Sequence, residues 1–295
     1  SEHTEGAAVT YLEAIREALR EELLRDPDVF LMGEDIGVYG GAFKVTDGFQ
    51  KEFGEWRVLD TPLSETAIVG AATGAALGGM RPVAEMQFAD FVSCAWDHLT
   101  TVSAKQYYRM GTPIPMTVRL PCGGGFSGGP FHSQMYDGYF AHCPGLKVVL
   151  PATPEDAKGM MIEAIRDPNP VLFFEHKHLY RRIKGEVPEE RYVTPIGKAR
   201  THREGDDLSV ITWGAMVYTA EEAAKQLEQD GVSVEIVDLR TVLPWDKEAV
   251  LASVRKTSKA LVLHEDTRTG GFGGEIAATI AEEAFEHLDA PIMRI

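Results

Sequence analysis

Glu65 and His132 are the residues whose surroundings best suit acid–base chemistry. Glu65 closes the run Asp60-Thr-Pro-Leu-Ser-Glu65, and glycines follow at 70, 74 and 78 with Ala67, Ala71 and Ala75 among them. Glycines four residues apart share one face of a helix, and Ser64 is its expected N-cap. Each glycine costs a helix interior about 1 kcal/mol relative to alanine, so a close neighbour must offset the loss. That neighbour is either a helix of the same domain or another chain. The second option places a carboxyl group at a subunit seam, as half of an active site whose other half lies on a different polypeptide. His132 lies in the glycine-rich stretch Gly128-Gly-Pro-Phe-His-Ser-Gln134. A histidine can give or take a proton near neutral pH, and loops held on a rigid sheet often carry function. Spacing alone does not separate it from an ordinary surface histidine.

Other catalytic patterns match by letter and fail in context. Gly125-Phe-Ser-Gly-Gly129 fits the serine-hydrolase elbow, which needs a strand leading in and a helix leading out. A glycine-rich coil precedes it and Pro130-Phe-His132 follows. Gly123, Gly125 and Gly128 fit a dinucleotide fingerprint, yet no helix opens after the third glycine to receive a pyrophosphate. His176 and His178 have no third ligand nearby, and neither HExxH nor CxxC occurs, so the spacing supports no zinc site.

These residues need a scaffold, and the apolar pattern predicts one. Strands are expected at Val29–Met32, Pro82–Gln87, Pro115–Leu120, Leu146–Leu150 and Val171–Glu175. Helices are expected at Thr10–Arg25, Ser64–Leu77, Ala89–Met110 and Pro154–Arg166. Apolar strands alternating with amphipathic helices predict an α/β fold with a largely parallel sheet covered on both faces. Periodicity fades over residues 186–206, the expected linker between a first domain at 1–185 and a second at 207–295. The second repeats the αβ pattern, with strands at Leu208–Trp213, Val232–Val237, Ala260–Leu263 and Ile292–Ile295 and helices at Tyr218–Gln229, Asp246–Val254 and Gly274–His287.

Bulk properties narrow the partners. The 295 residues are 44% apolar and 25% charged, as in soluble globular proteins, with a net charge of −16. That charge disfavours nucleic acid and anionic membranes, which call for basic patches. Three cysteines without a CxxC pair argue against a disulfide framework and for a reducing compartment. With no long apolar span and no signal peptide at the start, a cytoplasmic location is the expectation.

Several stretches together resemble one family: Leu59-Asp-Thr-Pro-Leu-Ser-Glu65, Met80-Arg-Pro-Val-Ala-Glu-Met-Gln-Phe-Ala-Asp-Phe91, His132-Ser-Gln134, His142-Cys-Pro-Gly-Leu-Lys147 and Val237-Asp-Leu-Arg-Thr-Val-Leu-Pro-Trp245. The chain resembles the beta subunit of the decarboxylating, thiamine-diphosphate-dependent first component of 2-oxo acid dehydrogenase complexes. The resemblance runs over essentially all 295 residues. Glu175-His-Lys-His-Leu-Tyr-Arg-Arg182 looks most like the branched-chain members.

The resemblance implies a pyrimidine-binding domain, a transketolase C-terminal-type domain and an α₂β₂ assembly serving the lipoyl domain and acyltransferase core of the complex. It implies that Glu65 hydrogen-bonds the 1′ nitrogen of the cofactor's aminopyrimidine, so that the cofactor's own amine can take the thiazolium proton and start decarboxylation. Phe91 would stack on the pyrimidine, and Leu63 and Gln87 would face the same pocket. His132 would assist acyl transfer to the lipoyl group. A structural potassium ion would be held by carbonyls of Ile114, Met116, Thr117, Ala164 and Asp167 with Asn169. Related enzymes hold magnesium and the diphosphate through Gly-Asp-Gly and a later Asn. This chain has no Gly-Asp-Gly, and Asn169 is its only asparagine, so the alpha subunit is expected to carry that site. Two departures stand out: Phe91 is commonly tyrosine in relatives, and relatives usually run on past Ile295. Pyruvate or acetoin dehydrogenase subunits are the alternatives within the family. A non-catalytic scaffold is the alternative outside it, although such a scaffold would be free to lose Glu65, Gln87 and His132, and all three are present.

Overall fold

The structure, a computed structural model, describes residues 8–295. The chain divides into two compact units, one running to Val149 with Thr153–Ile196, the other comprising Leu150–Ala152 with Gly197–Ile295.

In the first unit, β1 (Ala8–Thr10) pairs antiparallel with β8 (Lys184–Glu186). The main sheet holds β2 (Val29–Gly33), β3 (Val58–Asp60), β4 (Arg81–Glu85), β5 (Thr117–Cys122), β6 (Lys147–Val149) and β7 (Val171–His176), all parallel, in the order β6-β7-β5-β4-β2-β3. Every residue of β2, β5 and β7 is buried, so β2 reads as a continuous apolar run rather than an alternating one, while β5 and β7 also bury Arg119 and Glu175. Strand β5 starts at Thr117, two residues after its expected start, because Pro115 has no N–H to give to a ladder.

The helices of this unit are α1 (Tyr11–Arg25), α2 (Phe49–Phe53), α3 (Glu65–Leu77), α4 (Ala104–Met110), α5 (Asp137–Ala141) and α6 (Pro154–Arg166). Thr10 and Glu13 form a capping box at the start of α1, with the Glu13 N–H donating to the Thr10 hydroxyl at 3.1 Å and the Thr10 N–H to the Glu13 carboxylate at 2.7 Å. Thr153 caps α6 over a proline at its first position. Helices α1 and α6 pack together, and the buried Lys158 of α6 reaches Glu21 at 2.7 Å and Glu17 at 3.1 Å on α1.

The expected helix Ala89–Met110 is three shorter pieces: a 3₁₀ segment at Ala89–Ala95, a π segment at His98–Ser103, and α4. The β-branched run Thr100-Thr-Val102 is stiff at χ1. The Ser103 hydroxyl donates back to the His98 carbonyl at 2.9 Å, five residues earlier, which suits the wider π turn.

Near the C-terminal ends of β4, β5 and β7, Arg119 is buried between two carboxylates. It donates twice to Glu175, at 2.7 Å from both Nε and Nη2, and again to Glu85. The Tyr180 hydroxyl donates to Glu175 at 2.6 Å. Burial raises the pKa of Glu85, and the Arg119 charge opposes that rise. Removing Arg119 would leave two buried carboxylates without their cation, so the cluster locks these strands in one arrangement.

The second unit has a five-stranded sheet in the order Met293–Arg294, Ala260–Leu263, Leu208–Thr212, Val234–Asp238 and Arg200–Arg203. The first four are parallel and the last is antiparallel. Arg200–Arg203 falls inside the aperiodic stretch 186–206 and pairs along Val234–Asp238. Helices Met216–Gln229, Lys247–Thr257 and Gly273–Glu283 pack against this sheet. Val210, Val234 and Ile236 close over Ala220 and Ala224 of the first helix. Among the described residues, no helix is long and apolar enough to cross a membrane.

Candidate active site

Glu65 is the first residue of α3, directly after the turn that leaves β3, and it is partly exposed. The residue beside it is Glu34, the first after β2. Glu34 is 5% exposed and accepts the backbone N–H of Ser64. Burial pushes its carboxyl pKa up, and the nearby Glu65 and Asp35 charges push it further. Its Oε1 has no hydrogen-bond partner among the described residues. Ser64 does sit at the N-cap, but its side chain makes no capping bond, contrary to the sequence expectation. Its backbone is extended, at φ −163° and ψ 86°, and the negative charge at this positive helix end comes from Glu34 and Glu65 instead.

Glu34 was not among the residues singled out from the sequence. The available signal was Gly33-Glu-Asp35, two acids directly after a fully buried strand. Because the folded state raises the Glu34 pKa, it holds a proton that the unfolded chain releases. The resulting loss of stability appears as pH rises above the ordinary carboxylate range and is complete above the raised pKa. Glu34→Gln keeps an acceptor for the Ser64 N–H and removes the charge. Its melting temperature should exceed that of the parent at pH 7, and thermal melts at falling pH should show the gap closing.

The glycine face of α3 divides in two. A Cβ at Gly70 would lie 3.1 Å from the His98 ring, tighter than ordinary contact, so this glycine lets the two segments cross closely inside the chain. A Cβ at Gly74 would meet nothing within 4 Å. Ala71 and Gly74 are exposed, and Leu63 stands 80% exposed just before the helix. Among the described residues, nothing therefore offsets the cost of Gly74. Gly74→Ala should raise the stability of the isolated chain by roughly 1 kcal/mol in denaturant titrations. The same variant should weaken association with whatever approaches this face.

Gln87 leaves the end of β4 and donates to the Asp35 carboxylate at 3.0 Å. That contact ties it to the Glu34–Glu65 corner. The next residue, Phe88, begins an aromatic group in which the Phe88 and Phe91 rings meet edge to face at 5.7 Å. The His132 ring stands edge-on to both, at 4.7 Å from Phe88 and 5.5 Å from Phe91. Phe126 stacks on Phe88 at 6.1 Å, and the Lys177 ammonium lies 5.0 Å from the Phe126 ring centre and 5.5 Å from that of Phe88. The structure thus joins Glu65 and Gln87 through Glu34 and Asp35, joins Phe91 to His132, and leaves Leu63 projecting from the chain.

The His132 loop is seated by glycines. Gly123 has φ +82°, and a Cβ there would overlap the His176 imidazole. Ser127 lies within irregular chain, with no strand leading into it and no helix leading out. Among the described residues, no group of three histidine, cysteine or acidic side chains is placed to hold a metal ion.

At the other end of the sheet, the Val171 N–H donates to the Met116 carbonyl at 3.0 Å, two residues from Asn169. Asn169 Oδ1 is buried without a partner among the described residues. Arg81 donates to the carbonyls of Ile165 at 3.0 Å and Asp167 at 3.3 Å, and Lys147 binds the Asp167 carboxylate. The Ala164 carbonyl accepts from the Asp167 N–H at 3.3 Å.

Residues 7–183 match the family "Transketolase, pyrimidine binding domain", and residues 197–295 match "Transketolase, C-terminal domain". The 2-oxoisovalerate dehydrogenase subunit beta of Bacillus subtilis is 52% identical over 291 residues, covering 98% of this chain and 89% of the relative. The pyruvate dehydrogenase E1 component subunit beta of Staphylococcus epidermidis is 48% identical over 291 residues, with 98% and 90% covered. A solved structure described as "Split gene transketolase, inactive beta4 tetramer" superposes with a TM-score of 0.80 at 23% identity, covering 98% of this chain and 89% of its own, and so shares the fold. With two domain matches spanning nearly the whole chain and half its residues shared with such subunits, the chain belongs to the beta-subunit family of thiamine-diphosphate-dependent 2-oxo acid dehydrogenases.

Proposed function

We propose that the chain supplies the aminopyrimidine-binding half of an active site that oxidatively decarboxylates a branched-chain 2-oxo acid and passes the acyl group to a lipoyl group. The observation that carries this reading is the corner where Glu65 lies beside the buried Glu34, whose carboxyl pKa is pushed up by burial and by the Glu65 charge, one strand end away from Phe91 and His132. Thiamine diphosphate, when bound, supplies the electron sink for loss of carbon dioxide. Glu65 would hold the proton at the ring nitrogen of the pyrimidine, and Glu34 would resist a second negative charge beside it. Phe91 would offer its ring face to the pyrimidine, and Leu63 and Gln87 would border it. His132, edge-on to Phe91, would move a proton during acyl transfer to the lipoyl group.

The diphosphate and its magnesium belong, in this reading, to an alpha subunit in an α₂β₂ assembly, with the exposed Ala71–Gly74 face of α3 at a chain boundary. Asn169 Oδ1, buried and unpartnered, fits a cation, and the carbonyls of Met116 and Asp167 each keep a second lone pair beside their existing bonds. Ile114, Met116, Thr117, Ala164, Asp167 and Asn169 are accordingly proposed as the potassium site.

The branched-chain reading is supported by 52% identity to a 2-oxoisovalerate dehydrogenase subunit against 48% to pyruvate dehydrogenase subunits. The test is carbon dioxide release by the chain assembled with its alpha subunit, measured on 2-oxoisovalerate, pyruvate and acetoin. The expected result is a kcat/KM for 2-oxoisovalerate at least about tenfold above that for pyruvate. Preference for pyruvate or acetoin would replace the substrate assignment.

A further inference from the structure

His132 and Phe91 meet, but they belong to separate segments, and something must hold those segments together. Phe91 lies in the 3₁₀ segment Ala89–Ala95, whereas His132 lies in irregular chain between β5 and α5. Asp90, the residue before Phe91, bridges them. It is 5% exposed, and its Oδ1 accepts the backbone N–H of Gln134, two residues past His132, at 3.2 Å. The Gln134 carbonyl in turn accepts the Gly123 N–H at 3.2 Å, closing the base of the loop. A second tie runs beside the first: Ser93, whose hydroxyl donates to the Asp90 carbonyl at 3.1 Å, also hydrogen-bonds the Tyr136 side chain. Burial, together with the Asp90 charge, raises the Tyr136 pKa.

The choice of an acid here is unusual. Asp90 Oδ2 is buried without a partner among the described residues. A buried carboxylate held by one backbone N–H costs stability, so something other than packing must favour a hydrogen-bond acceptor at this position. Packing alone does not call for it, since the aromatic contacts of Phe88 and Phe91 with His132 do not involve Asp90.

We propose that Asp90 is a positioning residue for acyl transfer, its carboxylate latching the His132 loop to the segment that carries Phe91. The latch sets where the imidazole stands over the pyrimidine-binding ring. It rests on the reading of His132 given above. Loss of the hydrogen bond frees the Gln134 end of the loop, and an imidazole displaced by about 1 Å loses much of its effect on a proton transfer.

The test uses the chain assembled with its alpha subunit, in the variants Asp90→Ala, Asp90→Asn and His132→Ala. Decarboxylation is read with an artificial electron acceptor and acyl transfer by the mass gain of an isolated lipoyl domain. Asp90→Ala should lower acyl transfer relative to decarboxylation about tenfold. Asp90→Asn, which keeps an acceptor for the Gln134 N–H, should bring the ratio back to within about threefold of the parent. Hydrogen exchange across residues 123–136 should quicken in the alanine variant and not in the asparagine one. Should Asp90→Ala fail to assemble, Asp90→Thr, whose hydroxyl is too short for the bond, takes its place with the same expectation. Equal loss in both assays, or equal loss in the alanine and asparagine variants, overturns the latch. Acyl transfer that falls in His132→Ala but not in Asp90→Ala overturns the latch alone; transfer intact in His132→Ala overturns the role of His132 and the latch with it.

Discussion

Glu65→Ala in the assembled enzyme is expected to lower decarboxylation about 10²–10⁴-fold, the usual contribution of a positioned proton-transfer group. The loss should appear in kcat and kcat/KM together, because the carboxyl acts on a proton rather than on substrate affinity. Folding should survive. Glu65 is partly exposed at the first position of α3, and among the described residues no hydrogen bond depends on its side chain. The variant also removes one of the charges that hold the Glu34 pKa up. Titration of Glu34 should therefore move down in Glu65→Ala, which gives a spectroscopic sign that the two carboxyl groups are coupled, separate from turnover. Steady-state rates on the assembled enzyme check the main claim, and turnover within a few-fold of the parent would remove Glu65 from its assigned role.

Much of the scaffold that presents Glu65 was legible in the sequence. Buried strands betrayed themselves as apolar runs at Val29–Gly33 and over the Val171-Leu-Phe-Phe174 part of β7. Helices α1, α3 and α6 start within a residue of their expected bounds, and Thr10 and Thr153 cap two of them through local chemistry that sequence displays directly. Where tertiary contacts decide, the reading failed. The segment from Ala89 to Met110 has helical periodicity throughout, yet it breaks into 3₁₀, π and α pieces. The glycines at 70 and 74 look equivalent in sequence, but one faces His98 and the other faces outward. Glu34 gained its importance only from its approach to Ser64 and Glu65, about 30 positions along the chain and brought close by the parallel pairing of β2 with β3.

The second large effect concerns what this chain lacks by itself. The residues proposed for the cofactor, Leu63, Glu65, Gln87 and Phe91, would all address the aminopyrimidine ring. None is basic, and a diphosphate calls for cations, a magnesium ion or a helix N-terminus free of acids. The helix start nearest the site is α3, which already carries Glu65 and abuts Glu34. A diphosphate there would meet two carboxyl groups. The isolated chain should therefore bind thiamine diphosphate at least about 10³-fold more weakly than the assembled enzyme, a difference of about 4 kcal/mol.

The exposed Leu63 and the open space around Gly74 fit the same division of labour, since neither is covered by the described residues. The most direct measurement is calorimetric titration of thiamine diphosphate with magnesium into the isolated chain and, in parallel, into the chain assembled with its alpha subunit. A site shared between two chains predicts saturable, magnesium-dependent binding to the assembly and none to the isolated chain over the same concentrations. Equally tight, magnesium-dependent binding to the isolated chain would contradict it.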